Sequence, residues 1–201
     1  MKKIILTLGL AALCCMGANA QSLSDFLKGA GKALSNAAAS TTSSIFDITG
    51  TWKYNGCALG ASSDDILTSL AASAGTATIE AKCDELLAKA GIKAGAATLT
   101  FAANGNFTLT AGKLNIPGSW TKDGTSIEIT FTKLFSLKMK GKVTRTTEGC
   151  SVLFESEKFV TFAKNVLDVA GKLLSSNATV SALQTAIKNI DGLQLGFKLV
   201  K

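Results

Sequence analysis

Apolar residues recur along the chain at three different spacings, and the points where the spacing changes divide it into parts. Ile4 to Met16 is a nearly continuous apolar run. Thr51-Trp52-Lys53-Tyr54 alternates, with Trp52 and Tyr54 on one face, as a half-buried strand does. A helical spacing follows: Ile79, Cys83, Leu86, Leu87 and Ala90 form one stripe that stops at Gly91. Ahead of it, Ser63 before Asp64-Asp65 reads as a helix cap, with a first inserted helix running to about Ser73.

From residue 97 the period becomes two. Leu99 and Phe101, then Asn104-Gly105, then Phe107 and Leu109 predict a hairpin around a strong turn signal. Trp120 opens another strand, Asp123-Gly124 turns it, and Ile127, Ile129 and Phe131 alternate back. Further strands are predicted at 137–140, 143–146 and 150–154, with turns near Gly141 and at Glu148-Gly149. The helical spacing then returns twice. Phe159, Phe162, Ala163, Val166, Ala170 and Leu173 form one stripe, and Val180, Leu183, Ile187 and Ile190 another. Gly192 ends the second helix, and Leu193, Leu195, Phe197 and Leu199 alternate as a terminal strand. That strand has an economical partner in the first, because their pairing closes the sheet.

The expected architecture is α+β and β-rich: an antiparallel up-and-down barrel or strongly curved sheet. It carries a helical insertion after strand one and a C-terminal helical pair followed by a closing strand.

The first 20 residues belong to an address, not to this fold. Lys2-Lys3, the apolar run and Ala18-Asn19-Ala20 have the layout of a cleaved export signal, so the mature chain is expected to begin at Gln21. The expected location is the periplasm, the cell envelope or outside the cell. Cys14 and Cys15 raise the alternative of a lipidated cysteine, but Leu13 stands where a small residue is needed. Residues 21–44 read as a tether or short amphipathic helix (Leu23, Phe26, Leu27, Ala30, Leu34) running into an Ala/Ser/Thr tract, and the domain spans 45–201.

Composition then narrows the chemistry. The 201 residues include no histidine, which excludes Ser-His-Asp and Cys-His catalysis and His-ligated zinc. Two of the 21 basic residues leave with the signal, so 19 face 14 acidic ones. A net charge of +5 over such a length is no nucleic-acid footprint. No apolar run after residue 20 is long enough to span a membrane as a helix. Cysteines 57, 83 and 150 are spaced like no metal or redox motif. Asp64-Asp65 and Asp84-Glu85 are sequence neighbours whose side chains diverge on a helix, so neither is a general acid–base pair. Helix-end charge accounts for the first pair and a solvated face for the second. No catalytic, cofactor or metal residue is assigned.

Gly50-Thr51-Trp52 is a G-x-W at the start of the first strand. With the meander and the late helices, it resembles the lipocalin or wider calycin pattern. More specifically, residues 45–201 resemble an uncharacterised family of exported bacterial lipocalin-like proteins. The shared features are Thr51-Trp52-Lys53-Tyr54, the Ser63-Asp64-Asp65 insertion, the Asn104-Gly105 hairpin and the closing Asp191-Gly192…Gly196-Phe197. The resemblance implies a non-catalytic barrel that takes a small apolar or lipid-like ligand. The insertion after strand one is larger than lipocalins carry, and it bears on whether the barrel mouth is open.

Trp52, Tyr54, Phe101, Phe107, Ile129 and Phe131 are the residues expected to line a ligand site or fill a core, with Trp52 read as a plug at the barrel base. An eight-stranded barrel has room for one outcome or the other. A carrier of a small apolar ligand therefore stands against a closed-core module with no small-molecule ligand, an envelope structural protein or secreted inhibitor acting on a protein partner. Strand parity puts Cys57 with Lys53 and Asn55 on the outer face and Cys150 with Val152 and Phe154 in the core. If a disulfide forms, Cys57–Cys83 is the favoured pair; three separate thiols are the alternative. Lys138, Lys140 and Lys142 share one strand face, either simply wet or facing anions.

Overall fold

The computed structural model describes residues 46–63, 66, 75–188 and 190–201. The signal, the tether and most of the first inserted helix lie outside them. Eight strands form a closed antiparallel barrel in sequential order: β1 (Gly50–Ala61), β2 (Ala97–Phe101), β3 (Asn106–Ala111), β4 (Leu114–Asp123), β5 (Ser126–Phe131), β6 (Leu137–Arg145), β7 (Gly149–Glu155) and β8 (Leu193–Val200). Helix α1 (Gly75–Lys89) joins β1 to β2, and α2 (Ser156–Val169) with α3 (Leu173–Ile187) joins β7 to β8. The terminal strand pairs with both β7 and β1, which removes every open edge.

Strand direction sorts the connections by end. The hairpins between β2 and β3, β4 and β5, and β6 and β7 are short and lie at one end, here called the base. All three helices lie at the other. Each strand alternates as its sequence does. Ala97, Leu99 and Phe101 are buried while Thr98 and Thr100 are half-exposed, and β5 repeats the pattern with Ile127, Ile129 and Phe131 inside.

Two strands run longer than their patterns suggest. β4 begins at Leu114, six residues before Trp120, directly after the Gly112-Lys113 turn. β6 passes straight through Gly141, where a turn is expected. This glycine serves close approach: a Cβ there would lie 2.7 Å from the Phe154 ring and 2.2 Å from the Leu153 carbonyl oxygen. α3 likewise starts at Leu173, ahead of the Ser175-Ser176-Asn177 run.

The larger departure is in β1. Tyr54 pairs with Leu199 and Cys57 with Phe197, so three steps along β1 match two along β8. This is a β-bulge at Asn55-Gly56, with Gly56 at φ +120°. One extra residue inverts the parity, so Cys57 sits on the Tyr54 side of the sheet, not opposite it. β1 also loses its second neighbour here: pairing with β2 ends at Lys53–Thr98, while pairing with β8 continues to Ala61.

Candidate functional site

The barrel interior brings the sequence-derived lining residues together. At the base, Trp52 is 3% exposed, and its indole Nε1 donates to the Ile48 carbonyl at 2.7 Å. The Phe46 ring packs at 5.8 Å from it, and the Lys201 ammonium lies 5.0 Å from its centroid. The G-x-W tryptophan is thus a plug, bonded to the turn that leads into its own strand.

Above it a continuous train of rings crosses the interior. Trp120 meets Phe101 at 5.4 Å, Phe101 meets Phe107 at 5.1 Å, and Phe107 meets Phe131 at 5.3 Å. Phe107 and Phe131 lie on either side of Gly118 in the ladder, where a Cβ would run into the Thr130 carbonyl of the neighbouring strand. Phe131 then packs on Phe162 at 4.8 Å, Phe162 on Phe197 at 5.5 Å, and Phe197 on Tyr54 at 6.1 Å. Ile129, fully buried, pairs with Trp120 and Met139 in the ladder. Most of these contacts are tilted or edge-on, the arrangement that ring quadrupoles favour.

Phe162 belongs to α2, not to the barrel. Its neighbour Phe159 packs on Phe197 at 5.3 Å, and both side chains are fully buried. Helix α2 therefore presents two aromatic rings to the rings at the barrel mouth and closes it from above. The breadth of its apolar surface has the expected cause, since it is packed between the sheet on one side and α1 and α3 on the other.

A polar cluster sits where β1 parts from β2. Asp84, on α1, turns its carboxylate into this seam. Its Oδ1 accepts the Tyr54 hydroxyl at 2.6 Å and the Cys57 backbone N–H at 2.8 Å. The N–H at the bulge thus finds a carboxylate instead of another strand, and charge-assisted bonds of this kind are strong. Tyr54 Oη lies 3.2 Å from Cys57 Sγ, and the thiols of Cys57 and Cys83 are hydrogen-bonded to each other. All three described cysteines are buried free thiols.

Burial above all, then the neighbouring Cys57 and Asp84, pushes the Tyr54 phenol far above its ordinary range. Burial and the Cys83 contact push the Cys57 thiol well up. Cys150, deep in the barrel, is raised to about 12 by burial, against a small opposing pull from Lys201. A thiol held protonated is a poor nucleophile. The cluster binds helix to strand with protonated donors and offers no activated group.

Sequence reasoning placed Asp84 on a solvated face, and that holds only for Glu85, which bridges to Lys89 at 3.0 Å. Asp84 was missed because its role depends on the bulge. An Asn-Gly pair inside an alternating strand was the available signal. Among the described residues, no cluster of three or more Cys, Asp or Glu is placed to hold a metal, and no helix is long and apolar enough to cross a membrane. A groove of about 640 Å³ lies outside the barrel between α2 and α3. It is floored by Val160, Ile187 and Leu193 and rimmed by Glu157, Lys164 and Lys188.

Eight sequential antiparallel strands, closed first to last, with a G-x-W tryptophan at the base and helices over the mouth, define a lipocalin-like barrel. The sequence agrees over nearly its whole length. Residues 23–201 match the lipocalin-like domain family DUF4923, and the chain belongs to that family. Searches of curated proteins and of solved structures give no match.

Proposed function

We propose that this is an exported, non-catalytic lipocalin-like protein whose barrel is a filled scaffold and whose work is done by its outer surface, as an envelope structural or interaction module. One observation carries the reading. The space that a lipocalin-type carrier keeps for its ligand is crossed by contacting rings, two of them from α2, with Phe131 and Phe162 centroids 4.8 Å apart. An eight-stranded barrel is only just wide enough for one small ligand, and side chains of this size use that width. The protonated state of Tyr54 and Cys57 and the absence of histidine support a role without catalysis. Export is inferred from Lys2-Lys3, the apolar run and Ala18-Asn19-Ala20.

Native mass spectrometry of the protein purified from its own host tests the reading. The expected mass is that of the polypeptide alone, beginning at Gln21. A co-purifying lipid-sized adduct, lost on organic extraction, would restore the carrier.

A further inference from the structure

We infer that the β5–β6 turn, led by Phe135, is a docking tip for the surface of an anionic lipid bilayer. The inference rests on the surface-acting reading above and names the partner. Among the described residues, the large apolar side chains left exposed are Phe135, at 78%, and Val169, at 45%. They flank the contact between α2 and this turn. The Asn165 side-chain amide donates to the Leu134 carbonyl at 3.5 Å, which sets the end of α2 against the turn, and Val169 follows Asn165 by one helical turn on the same side.

The backbone holds Phe135 outward against its own preference. Leu134 is fully buried and its carbonyl accepts the Leu137 N–H at 3.0 Å. Between them Phe135 and Ser136 adopt φ +55° and +53°, although neither is a glycine or asparagine. Left-handed conformations disfavour residues with a Cβ, and strain of this kind concentrates at working sites. An exposed phenylalanine held there gains nothing from the fold.

The charge around it selects the partner. Lys133 and Lys138 flank the turn, and residues 130–139 contain no acid; Lys140 and Lys142 lie farther along β6, toward the base. Lys133 reaches the carbonyl of Asn115 at 3.3 Å, so the adjoining β3–β4 turn brings Lys113 to the same tip. The opposing charges are Asp168 at the end of α2 and Glu128, which lies 3.7 Å from Lys140. An aromatic tip inside a lysine rim fits a negatively charged headgroup layer, the ring entering the interface and the ammonium groups meeting phosphates. One ring and a few lysines give weak, reversible, salt-sensitive attachment.

Sedimentation of the full mature chain with vesicles containing phosphatidylglycerol, against vesicles of phosphatidylcholine alone, tests this. Wild type and variants, each beginning at Gln21, run side by side, so whatever residues 21–45 contribute is common to both. Wild type should bind the anionic vesicles and release at raised salt. Phe135→Ala should weaken binding about tenfold, and Lys133→Gln with Lys138→Gln about fivefold per lysine removed. Phe135→Trp should bind and shift its emission to the blue. Equal binding by wild type and Phe135→Ala, or equal binding to both vesicle types, would overturn the assignment. So would wild type that ignores vesicles but loses an envelope protein partner when Phe135 is replaced. None of these results alters the mass measurement, so the filled barrel stands or falls separately.

Discussion

The two ends of the barrel are closed by different means. At the base, short hairpins turn on Asn104-Gly105 and Asp123-Gly124, where Gly105 and Gly124 supply the positive φ that such turns need, and one tryptophan bonded to Ile48 fills the hole. The turns there and the Trp52–Ile48 bond are local in sequence. At the helical end the Gly112-Lys113 turn is equally local, but the closure of the mouth is not. Phe162 meets Phe131 across 31 positions, Asp84 meets Tyr54 across 30, and the turn at Phe135-Ser136 uses residues that its geometry disfavours. A base made of local rules can be read from sequence, whereas an end made of distant contacts has to be seen.

The contrast explains which expectations held. The strands, the Asn104-Gly105 hairpin and the closure of β8 on β1 follow from period-two alternation and turn chemistry, and the Trp52 plug from the resemblance carried by its G-x-W. The bulge at Asn55-Gly56 shifts parity by one, so the face of Cys57 came out reversed and the partner of Asp84 could not be guessed. Gly141 was misread because a glycine that makes room for a neighbouring ring looks like one that makes a turn. That the interior is filled also lay beyond reach: Phe131 is equally suited to line a cavity or to meet a ring, and only the position of α2 decides.

The sharpest way to break the comparison is to empty the helical end. Phe162→Ala removes the ring that joins Phe131 to Phe197 and should lower stability by about 3–5 kcal/mol. Chemical denaturation would measure it. A loss below about 1 kcal/mol would mean that α2 is peripheral and the mouth opens freely.

The seam comes next. Asp84→Ala leaves the Cys57 N–H without an acceptor and the Tyr54 hydroxyl with only the weak Cys57 sulfur, and should cost about 2–3 kcal/mol. Tyr54→Phe, which keeps the carboxylate and the N–H bond, should cost about 1 kcal/mol. Equal losses from the two variants would show that the bulge N–H does not depend on Asp84.

Alkali probes both ends together. Cys150, near the base, is held at about 12 when folded, against an ordinary thiol value of 9.0. A raised acid favours the folded state below the unfolded value, and that benefit is lost as pH climbs from about 9 toward 12. At pH 10 ionisation of the unfolded thiol alone should subtract about 1.4 kcal/mol. Cys150→Ala should flatten that part of the decline and leave the part due to Cys57 and Tyr54 at the other end. If denaturation midpoints stay level from neutral pH to pH 11, buried thiols do not set the alkaline limit.

The smallest effect has the opposite sign. Replacing Phe135-Ser136 by Asn-Gly gives the helical-end turn the residues that the base already uses at Asn104-Gly105. Both are at ease at positive φ, and Phe135, 78% exposed, contributes little buried surface that the change would lose. Glycine in the unfolded chain returns part of the gain as entropy. The net should be a rise of about 1 kcal/mol, read from the denaturation midpoint, accompanied by loss of binding to anionic vesicles. A variant that is both more stable and unable to dock would show that strain is kept at this turn for the sake of the exposed ring. A variant less stable than wild type would mean that Phe135 packs against its surroundings in solution, and the two ends would then follow the same rule.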